Sequence, residues 1–358
     1  MTTIMIMAGG TGGHVFPALA VARALRDQGV QIVWLGTREG IEARVVPAAG
    51  FVLETIAIRG LRGGGLLRWL LLPARLNVAM FQALGILRRH KPDAVLAMGG
   101  FASGPGSLMA SALRIPLLIH EQNAVAGLTN RWLAHIADVV MAGFPMAFGE
   151  RHGVRVVGNP VRQEIVALSS PVLRFAERVG RLRLLIIGGS QGAQIFNKVV
   201  PEAVCALPEA GRPQVWHQTG KRDEAAVAMA YRSFLPDARV ATFIDDMAAA
   251  YAWADLVVCR AGAMTIAELA AAGVAAILVP FPQAADDHQT ANAQFLSTRD
   301  AAVLLPQQDF TATRLAELLT SLGANRALLQ RLAENARACA TTDATETVAQ
   351  LCRETAHA

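Results

Sequence analysis

The chain has 358 residues, of which 53% are hydrophobic and 17% charged, with a formal net charge of +5. That composition excludes a disordered chain, and the length exceeds the size at which a single core stops growing, so two domains are expected rather than one. The four cysteines, Cys205, Cys259, Cys339 and Cys352, show no CxxC spacing and no dense framework, so they read as reduced, buried thiols and imply no metal site.

The N-terminus enters a strand by Ile4 without a basic stretch or a long apolar one, so no signal peptide is expected. The apolar run Ile4–Met7 leads into Gly9, Gly10, Gly12 and Gly13, and an alanine-rich helical pattern follows from Pro17. Strand, glycine loop and helix in that order form an anion-ready loop, because glycines let backbone N–H groups approach a phosphate and the helix offers its positive end. A nicotinamide or flavin cofactor does not fit. The third glycine of G-x-G-x-x-G would fall on Val15, and the next apolar run, Gln31 to Leu35, does not end in the acid that would hold an adenosine ribose.

Between Thr55 and Pro92 there are seven basic residues, Arg59, Arg62, Arg68, Arg75, Arg88, Arg89 and Lys91, and no acidic ones. "LLRWLLLP" at 66–73 is far shorter than the roughly 18 apolar residues of a membrane span and is interrupted by Arg68. The segment suits an anionic bilayer surface, with Trp69 and Leu70 partly exposed to lipid between flanking arginines, while other leucines cover the sheet. No nucleic-acid motif accompanies this charge.

Further apolar runs at Ala94–Met98, Leu117–His120 and Val139–Ala142, then Leu184–Ile187, Val215–His217, Ala241–Phe243, Leu256–Cys259 and Ala276–Val279, alternate with helical stretches. This alternation predicts parallel sheets covered by helices. At "RLRLLIIGGSQGA" the opening strand–glycine–helix pattern recurs, and the break at Gly158, Asn159 and Pro160 marks the boundary. The predicted fold class is α/β, with two Rossmann-like doubly wound domains facing across a cleft. The first spans 1–163 and the second 164–340.

Ligands of parallel sheets sit at the carboxyl ends of the strands, and the unusual loops lie there: "MGGFASGPG", "HEQNAVAGLTN", "CRAGAMTIAE" and "VPFPQAADDHQTANA". In "GGSQGA", Ser190 adds a hydroxyl donor for a diphosphate. In "AGAMTIAE", Gly262 opens a helix and Glu268 sits about a turn and a half inside it, where a carboxylate accepts both hydroxyls of a ribose. A solvated helix residue is the plainer alternative.

Taken in order, "GGTGGHVFPALA", "GLRG", "GGFASGPG", "HEQNAVAGLTN", "VGNPVR", "GGSQGA", "FIDDMAAAYAWADLVVCRAGAMTIAE" and "HQTANA" closely resemble glycosyltransferase family 28 from Ala8 to about Ala293. The resemblance is to those members that move N-acetylglucosamine (GlcNAc) from UDP-GlcNAc onto the C4 hydroxyl of an undecaprenyl-diphosphate-linked muramoyl-pentapeptide in peptidoglycan synthesis. It implies a GT-B fold, inverting transfer without a cofactor, a donor-binding C-terminal domain, and an N-terminal domain facing the lipid acceptor. It also implies a final helix, 341–358, packing back on the N-terminal domain, and a peripheral place on the cytoplasmic face of the bacterial inner membrane. The donor contacts carried over are Thr11, Gly12, Gly13, Asn123, Arg162, Ser190, Ile244, the run Ala263, Met264, Thr265, Ile266, Ala267 and Glu268, and Gln289. Arg162 suits the diphosphate, Ile244 with Met264 the uracil, and Gln289 with Asn123 the sugar hydroxyls. Where the family often has Gln-Gln, this chain has His288-Gln289.

An inverting transfer needs a base for the attacking hydroxyl and a way to stabilise the leaving diphosphate. His14, directly after the glycine loop, is the first candidate base, with loop support as its alternative. Glu121 is the second, with a buried, backbone-bonded carboxylate as its alternative. Two rival readings remain at this stage: another GT-B UDP-sugar enzyme such as a glycolipid synthase, and a catalytically silent UDP-sugar-binding protein.

Overall fold

The computed structural model describes residues 1–58, 72–189 and 192–357, so Arg59, Arg62, Arg68, Trp69, Leu70 and Ser190 lie outside the described residues. The chain forms two compact units, Met1–Val161 with Thr341–Ala358, and Arg162–Ala340.

In the first unit, β1 (Thr3–Met7), β2 (Gln31–Gly36), β3 (Val52–Thr55), β4 (Ala94–Ala97), β5 (Leu117–Glu121), β6 (Val139–Ala142) and β7 (Val154–Val156) form one sheet in the order β3-β2-β1-β4-β5-β6-β7. Every pairing is parallel. The central strands are apolar on both faces because helices cover both. Ile4, Ile6 and Trp34 pack with the helix Gly12–Asp27, while Met5, Met7 and Val33 pack on the opposite face with Ala79, Ala83 and Leu87 of the helix Leu72–His90. The closing helix, Ala344–Ala356, puts Val348, Ala349, Leu351 and Cys352 into the first of these layers.

The second unit repeats the plan with β8 (Arg183–Ile187), β9 (Gln214–Gln218), β10 (Arg239–Ala241), β11 (Leu256–Cys259), β12 (Ala275–Leu278) and β13 (Val303–Leu304), ordered β10-β9-β8-β11-β12-β13 and again all parallel. In each sheet the strand order reverses once, between β1 and β4 and between β8 and β11. Loops diverge at such a switch point and leave a crevice at the carboxyl ends of the two strands. The loops after β1, β4 and β11 are among those singled out from sequence.

Several expectations are corrected. The first helix begins at Gly12, not Pro17, so Gly12, Gly13 and His14 are its first turn and Pro17 lies inside it. β10 lies two residues before the expected Ala241–Phe243, because an edge strand needs no full apolar run and Phe243 is half exposed. The edge strands β3, β7 and β13 carry too few buried side chains to make an apolar run. Of the thiols, Cys259 and Cys352 are buried and pushed up to about 12 by that burial, but Cys205 is exposed and Cys339 only half-buried.

Two core histidines set a pH limit on stability. Burial pushes His217, whose Nδ1 lies 3.0 Å from the Tyr231 hydroxyl, down to about 3, and it lowers His120 as well. In the unfolded chain each takes up a proton near pH 6.5. The folded values lie below the unfolded ones, so stability is whole above pH 6.5 and falls as pH drops, by about 1.4 kcal/mol per pH unit for His217, with His120 acting in the same direction. Urea unfolding between pH 7.5 and pH 4.5 should show this slope, and His217→Gln should flatten it. A parent stability that stays level from pH 7 to pH 5 contradicts the account.

Candidate functional site

In the first unit Thr11, Gly12, Gly13 and His14 follow β1 at the β1/β4 switch point, and Glu121 and Asn123 lie at the end of the next strand, β5. The Trp34 indole N–H donates to Ala8 O at 2.8 Å, and Gly9 N donates to Gly99 O at 3.3 Å, so the glycine loop after β1 is tied to both neighbouring strands. Gly99 and Gly100 have φ of +96° and +92°, and a Cβ on Gly100 would fall 2.3 Å from Gly9 O. A Cβ on Gly99 would fall 2.7 Å from His14 Cδ2, so the imidazole packs where only glycine leaves room. His14 Nδ1 lies 3.4 Å from Thr11 Oγ1, within the same turn. In the tautomer whose Nδ1–H donates to that hydroxyl, Nε2 carries the lone pair a base needs. Thr11 caps the helix without a side-chain bond, and the first turn holds no acid, so the amides of Gly12 and Gly13 begin a 16-residue helix.

Glu121 is engaged otherwise. Its Oε1 accepts from Asn123 N at 2.9 Å and Asn123 Nδ2 at 3.1 Å, and its Oε2 accepts from Asn130 Nδ2 at 2.9 Å and Gly127 N at 3.2 Å. A buried carboxylate holding four donors anchors the loop 121–130. Asn123 is thereby held at the end of β5.

In the second unit, Arg162 and Glu268, 106 positions apart, form an ion pair with Nη2 to Oε1 at 3.0 Å. The other oxygen, Oε2, accepts from the Tyr251 hydroxyl at 3.1 Å. Burial raises Glu268 above the usual carboxylate range, opposed by the charge and hydrogen bond of Arg162 and the hydrogen bond of Tyr251. Burial and the adjacent Glu268 charge raise Tyr251 well above 10, so the phenol stays a donor. Glu268 sits on the helix Ala263–Ala272, whose N-cap is Gly262 and whose first turn carries no acid, a favourable end for an anion. The run 263–268 divides: Ala263 and Ile266 face the core, whereas Met264, Thr265, Ala267 and Glu268 are partly exposed. Ile244 is buried, and Gln289 Oε1 accepts from Phe281 N at 2.9 Å.

Near Ser190, Gly189 has φ +81° with open space where its side chain would be, whereas a Cβ on Gly192 would fall 2.0 Å from Thr219 O. The two glycines therefore serve different ends, one facing open space and one allowing backbone to pack on backbone.

Comparison with known proteins places these loops in a family. The glycosyltransferase family 28 N-terminal domain matches residues 4–142, and the family 28 C-terminal domain matches residues 183–351. The chain belongs to glycosyltransferase family 28. Among family 28 relatives, a protein of Nitrosococcus oceani is 54% identical over 353 residues, covering 99% of this chain and 98% of its own. One of Alkalilimnicola ehrlichii is 56% identical, covering 99% of each. Both are named UDP-N-acetylglucosamine–N-acetylmuramyl-(pentapeptide) pyrophosphoryl-undecaprenol N-acetylglucosamine transferase. The crystal structure of Acinetobacter baumannii MurG superposes with a TM-score of 0.84 at 41% identity, covering 99% of this chain and 100% of that one. The fold class is accordingly the GT-B fold of glycosyltransferases.

Three residues of this family 28 chain escaped sequence reasoning. Tyr251 stands inside a quoted motif, but its partner Glu268 lies on another helix. Arg260, at the end of β11, donates to Val279 O at 3.1 Å and Gln307 Oε1 at 2.7 Å and stacks on Phe196 and Phe281, so it holds the loops after β11 and β12 together. Glu42 accepts a hydrogen bond from the first glycine loop.

Proposed function

We propose that this chain is the inverting transferase that moves GlcNAc from UDP-GlcNAc to the C4 hydroxyl of undecaprenyl-diphosphate-linked MurNAc-pentapeptide. The observation that carries the reading is nearly full-length identity of 54% and 56% with transferases named for that reaction. The site chemistry agrees with it. The acceptor O–H attacks the anomeric carbon, a new C–O bond forms, and the bond to the diphosphate oxygen breaks as UDP leaves. His14 takes the hydroxyl proton on Nε2. Arg162 and the amides opening the helix Ala263–Ala272 meet the charge that develops on the diphosphate, Glu268 accepts from the ribose hydroxyls, and Met264 covers the uracil. This reading assigns the donor to the C-terminal unit and the acceptor to the N-terminal one. Incubation with UDP-GlcNAc should release UDP only when the lipid acceptor is added. Epimerised UDP-sugar accumulating without acceptor, or UDP binding without turnover, contradicts the proposal.

The same reading puts the protein on the cytoplasmic face of the inner membrane. No helix among the described residues is long and apolar enough to cross a membrane. The helix Leu72–His90 exposes Val78 and Phe81, the latter at 72%, beside the exposed Arg75. Such a face gains about 1 kcal/mol per basic residue near an anionic surface, together with burial of its apolar groups. Replacing Arg68 and Arg75 by Gln should weaken vesicle binding chiefly at low salt, because charge attraction is screened over about 8 Å at physiological ionic strength. Replacing Trp69 and Leu70, or Phe81, by Ser should weaken it at every salt concentration. Parent-like binding to anionic vesicles in all of these variants overturns the assignment.

A further inference from the structure

Glu42 opens the short helix Glu42–Ala48 and is wholly buried. Its Oε2 accepts from Gly10 N at 2.9 Å, and its Oε1 accepts from Thr37 N at 2.9 Å and Thr37 Oγ1 at 2.7 Å. All three partners donate, the pattern a carboxylate satisfies and an amide cannot. A Cβ on Gly9, Gly36 or Gly40 would fall 2.4, 2.7 or 2.0 Å from Glu42 atoms. Glycines in the loop after β1, at the end of β2 and in the loop after it thus leave the space that this one side chain fills. Gly9 leaves room for Glu42.

Burying a carboxyl group costs far more than burying a hydrocarbon of the same shape, so packing alone does not explain an acid here. What the acid does is turn the Gly10 N–H inward, with Gly10 at φ +86°. The chain then enters the first turn of the helix Gly12–Asp27 in a set direction, and His14 is in that turn. On its other side the loop is held by Gly99, against which the His14 ring packs, and by Gly100, against which the Gly9 backbone packs. Two fixed walls therefore define where the imidazole points, and Glu42 is the polar part of one of them.

We propose that Glu42 is a positioning residue for the transfer step, holding the glycine loop so that His14 meets the acceptor hydroxyl. This rests on the proposed function, with His14 as the base. A misplacement of about 1 Å costs on the order of a hundredfold in rate, so Glu42→Gln, whose amide must turn a donor toward Gly10 N–H or toward Thr37, should lower kcat roughly 10- to 100-fold. The UDP dissociation constant should change less than kcat, by no more than about fivefold, because the diphosphate, ribose and uracil contacts Arg162, Glu268 and Met264 are unaltered and only the donor contacts Thr11, Gly12 and Gly13 lie on the clamped loop. A merely structural role would multiply with any other defect. A positioning role disappears once its object is gone, so in a His14→Ala background Glu42→Gln should change the residual turnover by less than about twofold. Thr37→Val, which removes one anchor of the carboxylate and keeps its volume, serves if Glu42→Gln does not fold, with a smaller fall in kcat expected. Amide exchange at Gly10, faster by about tenfold in the folded variant, reads the clamp without any activity. A parent with no transfer activity refutes the functional reading and leaves that exchange result standing. Unchanged Gly10 exchange, parent-like kcat in folded Glu42→Gln, or effects that multiply with His14→Ala overturn the positioning role.

Discussion

His14→Ala should lower turnover by about 10²- to 10⁴-fold, the range a positioned general base contributes, with UDP affinity close to that of the parent. The ring lies against Gly99 in the first unit, whereas the residues assigned to the diphosphate, ribose and uracil, Arg162, Glu268, Ile244 and Met264, lie in the second, and the donor contacts assigned to Thr11, Gly12 and Gly13 are kept in the variant. A base must be unprotonated to accept the hydroxyl proton, so parent activity falls on the acidic side, and the residual activity of the variant should lose that limb. Loop support has a different signature. If His14 only shaped the turn that begins at Gly12, acceptor binding would fall together with turnover and the acidic limb would persist. A persisting limb in folded His14→Ala removes the residue from the proton-transfer role.

Glu268→Ala should weaken UDP binding roughly 10- to 100-fold, as expected when a carboxylate that accepts ribose hydroxyls is removed, at about 1.5–3 kcal/mol per charged hydrogen bond. Calorimetric titration of the folded variant gives the number directly, and unchanged affinity would place the ribose elsewhere. The pair with Arg162 adds a pH arm. Burial raises Glu268 and the Arg162 guanidinium opposes that rise, so Arg162→Ala should push the carboxyl higher still. A protonated carboxyl no longer accepts in the same way, and UDP affinity in Arg162→Ala should therefore fall at a higher pH than in the parent as the solution is acidified. Equal pH dependence in the two proteins would mean that Glu268 is not coupled to Arg162 in the donor site.

The central strands were legible because parallel strands covered on both faces carry apolar runs, as β1, β4, β8, β11 and β12 do and as β5 does over Leu117–Ile119 before its buried His120 and Glu121. The edges β3, β7 and β13 were not, since an edge half in water needs no such run. The start of the first helix was misplaced because Pro17 suggests a first turn, yet here the proline lies in the helix interior. The loops could be ranked by the glycines and polar groups following each strand, which marked His14, Glu121 and Glu268. What those groups bond to was not legible. Glu121 reaches Asn130 nine positions on, but Arg162 reaches Glu268 across 106 and Gly10 reaches Glu42 across 32, distances at which only the sheet order decides who meets whom. Glu42 shows the limit most clearly: in sequence it is one acid in a charged helix start, and only the three glycines packed on it reveal that it is inside.

The most direct measurement is transfer itself. The full chain is incubated with UDP-GlcNAc labelled in the sugar and with undecaprenyl-diphosphate-MurNAc-pentapeptide in anionic vesicles or detergent, and the label is followed into the lipid-extractable product. The account predicts one labelled GlcNAc per acceptor, β-linked to the C4 hydroxyl, with UDP released in equal amount and transfer sharply reduced in His14→Ala and Glu268→Ala. Label that stays on the nucleotide in the presence of the acceptor, or that enters the lipid through an α linkage, contradicts it.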